Sequence, residues 1–262
     1  MPTFREFSRT FPMSASRAEF LLVNNNNTRT KFALAARGEI LEHRHMPSRE
    51  VTEGRVRELL ADWVYDRVVL ASVVPANVPA LVASQGGRPL VEVSHRIELG
   101  IVVDFPDPSK IGADRLANAV AVAEIDHDRP VVVVDFGTAV TFDIIDERPA
   151  YIGGVIAPGL DAMRLYLHER TALLPEIEIT RPPSAIGKST VHAMQSGAYH
   201  GYRGLVLEIL RRIEDEMGTP PKVIATGGYA ALIADGLPVI ESVDPYLTMR
   251  GLLRVANLNF PT

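Results

Sequence analysis

Cysteine is absent from the 262 residues, which excludes disulfides and thiolate metal sites and fits a reducing compartment such as the cytoplasm. Long apolar runs are missing too. A bilayer span needs roughly 20 apolar residues, and the longest candidates here are strand-length, such as Val131 to Val134, so no membrane segment is expected. Basic residues are not in excess: 27 Lys and Arg stand against 32 Asp and Glu, a net charge of -5. That balance argues against a nucleic-acid partner relying on a broad basic surface, while a local anion site stays open. The first 19 residues carry Arg5, Arg9 and Arg17 but lack the continuous apolar core of a signal peptide, so they read as a loose extension, with Met13 as an alternative start. The seven histidines, including His43 and His45 on an expected strand, show no zinc-ligand spacing.

What is present is ordinary for a globular chain. With 47% hydrophobic and 23% charged residues, neither disorder nor a fibrous repeat is indicated. The length suits two modest domains. Strand-type and helix-type patterns alternate, the mark of an α/β architecture. Phe20 to Val23 and Lys31 to Ala36 read as a hairpin. Arg55 to Trp63 reads as a helix and Arg67 to Val74 as a strand ending at Pro75, with a short helix over Val78 to Ser84. Gly112 to Ala123 follows as a helix, then a loop, Asp126 to Pro130. Val131 to Val134 and Thr141 to Ile145 repeat the opening hairpin. Helices are expected over Val191 to Met217, from Tyr229, and over Leu247 to Asn257, with a strand at Val223 to Ala225.

The strongest internal signal is that repeat. Phe-Leu-Leu-Val runs into Asn24-Asn25-Asn26-Asn27-Thr28-Arg29-Thr30, and Val-Val-Val-Val runs into Asp135-Phe136-Gly137-Thr138-Ala139-Val140-Thr141. A tight turn between buried strands can offer backbone N–H groups and Thr hydroxyls to phosphate oxygens, and a strand-end carboxylate can hold a cation. An ordinary hairpin turn favours Asn, Asp and Gly as well, for conformational reasons alone. Lys31, just after the first turn, is within reach of a phosphate or else lies on an exposed strand edge. Between the two turns, Gly112-Ala113-Asp114-Arg115 places an acid and a base at a helix start. They suit proton acceptance and carboxylate binding, or merely complement the helix dipole and solvent. Lys188 in Ile-Gly-Lys-Ser-Thr lacks the first glycine of a Walker A loop.

On these residues, together with Ser72-Val73-Val74-Pro75, Gly153-Gly154, Pro158-Gly159, Gly187 to Thr190, Gln195-Ser196-Gly197 and Thr226-Gly227-Gly228, the chain resembles the type III pantothenate kinases. These belong to the superfamily of acetate and sugar kinases, Hsp70 and actin. The resemblance covers nearly everything after residue 19. It implies an α/β fold of two ribonuclease H-like lobes, each a mixed sheet flanked by helices, with the active site in the cleft between them. Residues 20–115 would form the first lobe and 116–262 the second, after the extension at 1–19. It implies ATP-dependent phosphorylation of pantothenate at the head of coenzyme A synthesis, in a cytoplasmic homodimer that engages neither nucleic acid nor membrane.

Carried over by position, Asp114 is the general base, and Phe105, Gly112, Ala113, Asp114, Arg115 and Thr190 contact substrate. Asn24, Asn27, Thr28, Lys31, Gly137, Thr138, Gly227 and Gly228 fall to ATP and its phosphates. Asp135 would hold a monovalent cation, K+ or NH4+, and Asn24 a weakened Mg2+ site. Two departures from the pattern Asp-x-Gly-Asn-Thr stand out: Asn24 replaces the acid and Asn26 the glycine. An amide is a weaker ligand than a carboxylate for a hard cation, whereas Asn tolerates the left-handed backbone a glycine position can demand. Phe105 keeps the ring of the family's Tyr without its hydroxyl. An alternative is therefore a catalytically impaired relative that binds nucleotide or pantothenate in a regulatory or accessory role. Another small-molecule kinase or phosphohydrolase on the same fold is a third reading.

Overall fold

Two β-hairpins organise the chain, as their runs of buried Leu, Val and Phe dictate. In the computed structural model, which describes residues 16–123 and 128–261, β1 (Ser16–Arg17) leads into the first hairpin, β2 (Phe20–Asn25) and β3 (Arg29–Ala35). Then follow β4 (Ile40–Pro47), α1 (Glu53–Leu59), β5 (Trp63–Val64), β6 (Arg67–Ser72), α2 (Val78–Ala83), β7 (Leu90–Glu92), β8 (Val102–Val103) and α3 (Ala113–Val122). The second hairpin is β9 (Val131–Phe136) and β10 (Ala139–Ile145). After it come β11 (Ala150–Pro158), α4 (Leu160–Arg170), α5 (Thr190–Met217), β12 (Lys222–Gly227), α6 (Ala230–Ala234), β13 (Ser242–Val243) and α7 (Leu247–Asn259). Most of the expected N-terminal extension, including Met13, and Asp126 and His127 of the expected loop lie outside the described residues.

The repeat read from two turns extends to whole sheets. The first sheet runs β4-β3-β2-β6-β7 and the second β13-β12-β9-β10-β11-β8. In each, the hairpin pairs antiparallel and a third strand joins antiparallel beyond it (β4 or β11). On the other side a strand returning after a helical connection pairs parallel with the first hairpin strand (β6 or β12). Asn24 lies opposite Lys31 and Ala71, and Asp135 opposite Thr141 and Thr226. The two residues therefore hold corresponding places.

Several expectations are corrected. Residues 16–19 are tied down: β1 pairs with β5, and Glu19 accepts hydrogen bonds from Arg37 and Arg67, both at 2.7 Å. The helix expected over Arg55 to Trp63 ends at Leu59, and Trp63 opens a strand. β3 is an inner strand, bonded on both sides, so Lys31 is not at a sheet edge. Asn26 does not adopt a left-handed backbone; among the described residues only glycines have positive φ.

The lobes share one interior. α3 and α7 lie together between the sheets, α7 against β2 and β6 and α3 against β6, β9 and β10. A continuous apolar cluster joins Phe20 and Leu22 of the first sheet to Val131, Val133 and Tyr151 of the second through Leu116, Val120 and Leu252. Chain order and sheet membership part company here. α7, from the end of the sequence, covers the first sheet, β8 joins the second sheet through β11, and residues 115 and 116 lie side by side within α3. The helices cross at Gly251, where a Cβ would stand 1.8 Å from the Ala117 carbonyl oxygen.

Candidate active site

Both hairpin turns open onto one cleft of about 340 Å3. From the first lobe Asn24, Thr28 and Lys31 line it, and from the second Asp135, Gly137, Thr138, Gly227 and Gly228. The turns touch: the Thr28 and Thr138 hydroxyls are 3.0 Å apart in a hydrogen bond. This cleft therefore gathers all the sequence-predicted phosphate residues but one. Asn27 is exposed and lines a neighbouring hollow with Arg29 and Arg49.

The first turn is braced from below. Asn25, fully buried, donates from Nδ2 to Thr30 Oγ1 at 2.7 Å and accepts from Ser72 Oγ at 2.8 Å. Ser48 adds its backbone N–H to the Thr28 carbonyl at 3.1 Å. Asn24 is 2% exposed, yet its Oδ1 has no partner, and Asn26 Oδ1 is likewise buried without one. A buried acceptor left unpaired is costly, so these two oxygens mark where a donor or cation is wanted.

In the second lobe Asp135, next to last in its buried strand and itself largely buried, lines the cleft. Asn118 Nδ2 donates to its Oδ2 at 3.3 Å, and Thr248 Oγ1 fixes Asn118 by donating to Oδ1 at 2.8 Å. Burial pushes the Asp135 carboxyl up to about 6, the nearby Asp114 charge adds to this, and the Asn118 hydrogen bond and Lys31 charge pull it back. Gly227, at φ 94°, must be glycine, since a Cβ there would lie 2.6 Å from Asp135 Oδ1. Asp161, the other acid lining the cleft, is engaged by the Tyr229 hydroxyl at 2.6 Å and Arg164 Nε at 3.2 Å.

Gly112 caps α3 without a side-chain bond, and Ala113, Asp114 and Arg115 form its first turn. Asp114 Oδ1 accepts the Arg115 backbone N–H at 2.8 Å. Burial raises the Asp114 carboxyl above its ordinary value, against the Arg115 hydrogen bond and charge, which moves a base toward neutral pH. Arg115 does not face solvent; its Nε donates to Asp143 Oδ1 at 2.6 Å. Phe105 packs its ring edge on Tyr151, centroids 6.2 Å apart. Thr190, exposed at the start of α5, does not line the cleft, and neither do Phe105 or Gly112 to Arg115, although the Asp114 charge acts on Asp135. Sequence reasoning passed over Asn118, Thr248, Asp161, Asp143 and Tyr151. Asn118 and Asp143 carried a signal, being polar residues inside apolar helix and strand patterns.

Two topologically repeated lobes, turned so that both hairpins meet at one cleft, define a two-lobed fold of the actin, Hsp70 and sugar kinase kind. An activator of 2-hydroxyisocaproyl-CoA dehydratase from Clostridium difficile, solved with bound ADPNP, shares that fold at a TM-score of 0.53 and 13% identity, over 92% of this chain and 94% of its own. A sequence profile of the type III pantothenate kinases matches residues 20–212, and the chain belongs to that family. The type III pantothenate kinase of Akkermansia muciniphila is 52% identical over 241 residues, 92% of this chain and 99% of its own length. That of Methylacidiphilum infernorum is 39% identical over 240 residues, 91% of this chain and 88% of its own.

Proposed function

We propose that this chain transfers the γ-phosphoryl group of ATP to the primary hydroxyl of pantothenate. The hydroxyl oxygen attacks γ-phosphorus, the bond to the β-bridging oxygen breaks, ADP leaves, and Asp114 takes the hydroxyl proton. The observation that carries this reading is the Thr28–Thr138 contact above a cleft shared by Lys31, Asp135 and the Gly227–Gly228 turn. In-line transfer asks mainly for positioning and charge neutralisation. The two Thr hydroxyls and Lys31 would face the phosphates, and Gly112 to Arg115 the acceptor.

No group of three or more His, Cys, Asp or Glu side chains able to hold a metal occurs among the described residues. A single carboxylate joined by amide, phosphate and water oxygens nevertheless suits magnesium. Asp135 and the unpartnered Asn24 Oδ1 fit that role, and Asp135 also fits potassium or ammonium; such a cation would neutralise phosphate charge. A homodimer belongs to the same reading. Ile156, Tyr166 and Leu173 are large, apolar and exposed on the second lobe, the kind of surface a second copy would cover. No helix among the described residues is long and apolar enough to cross a membrane, and the cysteine-free sequence suits the cytoplasm.

A coupled ADP-release assay with ATP, pantothenate, magnesium and potassium tests the reading. Turnover is expected from the native chain, with Asp114→Asn lowering kcat by about 10²- to 10⁴-fold. No release from the native chain, with recovery in Asn24→Asp, would overturn it in favour of an impaired relative.

A further inference from the structure

Asp143 has no part in the steps above, yet it occupies a costly position. It lies in the middle of β10 between Phe142 and Ile144, fully buried, opposite Val133 on β9 and Gly154 on β11. A carboxylate in such a place persists only with a partner. Its partner is Arg115, whose Nε donates to Asp143 Oδ1 at 2.6 Å. The Tyr151 hydroxyl donates to the same oxygen at 3.4 Å, and the Tyr151 ring centre lies 5.8 Å from the guanidinium carbon. Gly154 leaves the room: a Cβ there would stand 2.1 Å from Arg115 Nη2 and 2.2 Å from the Phe142 carbonyl oxygen. Three residues on two neighbouring strands are thus shaped around one guanidinium.

A buried ion pair of this kind is often neutral for stability when exchanged for apolar residues, so its location matters more than its strength. Arg115 follows Asp114 in the first turn of α3, and its backbone N–H is held by the Asp114 carboxylate. The cap residue of that turn is Gly112, which has no side chain to fix it. The anchor comes from the far end of the Arg115 side chain instead. The charged and titratable groups facing Asp143 are Arg115 and Asp114 from α3, Asp135 from β9 and Tyr151 from β11.

We propose that Asp143 is a positioning residue: by clamping the Arg115 side chain against β10 it fixes the first turn of α3 and, with it, the direction of the Asp114 carboxylate. The inference rests on Asp114 as the proton acceptor of the reading above. Two variants test it from opposite sides. Asp143→Asn keeps shape and an acceptor oxygen but removes the charge, and Gly154→Ala leaves the Asp143 side chain intact while pushing on the guanidinium and on the Phe142 carbonyl.

In each, kcat is expected to fall about tenfold to a hundredfold, since small misplacements of reacting groups are that costly. KM for ATP should stay within about twofold. The double variant should lose little more than either single one, as residues acting through one contact are not additive. Amide exchange of residues 112–122, followed by mass spectrometry without substrate, should quicken in both variants while circular dichroism stays native. If one variant fails to fold, the other decides. A folded variant with native kcat and native exchange overturns the proposal. So does a loss of ATP affinity that matches the loss of kcat, which would make Asp143 a core residue only. A native chain that released no ADP would refute the pantothenate reading, while the exchange measurement would still decide the clamp.

Discussion

Asn24 and Asp135 sit at equivalent strand ends, but they meet different electrostatic conditions. Asn24 faces Lys31 across the hairpin and adds no charge; Asp135 shares its surroundings with Asp114. With its folded value raised to about 6 from an ordinary 3.8, the folded chain binds a proton at Asp135 more readily than the unfolded chain. Its contribution to stability is therefore complete below about pH 4 and is lost as pH rises through 6. Asp135→Asn should consequently leave stability nearly unchanged at pH 4 and raise it at pH 8 by on the order of 1–2 kcal/mol, read as a higher Tm at pH 8 only. Calorimetry at the two pH values checks this. An equal effect at both would show that the carboxylate is not the source of the cost. The same substitution should abolish most turnover, a trade of stability for function.

At the scale of elements, legibility followed the strength of local pattern. β2, β3, β9 and β10 were plain from their apolar runs, and their repeated turns pointed to the cleft. α5 was plain from its length. β4 was not, because its sequence Ile-Leu-Glu-His-Arg-His-Met-Pro is an edge strand with polar side chains on both faces, and only the His43 and His45 pair hinted at a strand. β8 is two residues long and draws its place from pairing with β11, a long-range contact that no local pattern encodes. The site divides the same way. Turn residues announced themselves by composition, whereas Asn118 and Asp143 matter through partners on other elements. Gly251 read as an unremarked residue in a helix, yet it lets α7 touch the α3 backbone. Gly251→Ala should destabilise the protein by about 1–3 kcal/mol through overpacking, measured by urea unfolding. A neutral or stabilising result would mean that the two helices do not cross in contact.

At the scale of the whole molecule, one apolar cluster spans both sheets, so the lobes are expected to unfold together. The sole tryptophan offers a local reporter. Trp63 is buried in the first lobe, donates Nε1–H to Glu42 at 2.9 Å and lies under the Arg44 guanidinium. Its fluorescence sees that lobe alone, while far-ultraviolet circular dichroism sees both. Coincident midpoints in urea are expected, and separated midpoints would show that the shared interior does not couple the lobes. The Thr28–Thr138 bond acts at this scale as well, since it spans the mouth of the cleft. In the proposed reading each hydroxyl there would stand in for a phosphate oxygen. A nucleotide entering between them would exchange one weak, exposed bond, about 0.5–1.5 kcal/mol, for bonds to a charged acceptor. The two halves of the cleft can thus stay in contact through a bond weak enough for a ligand to displace.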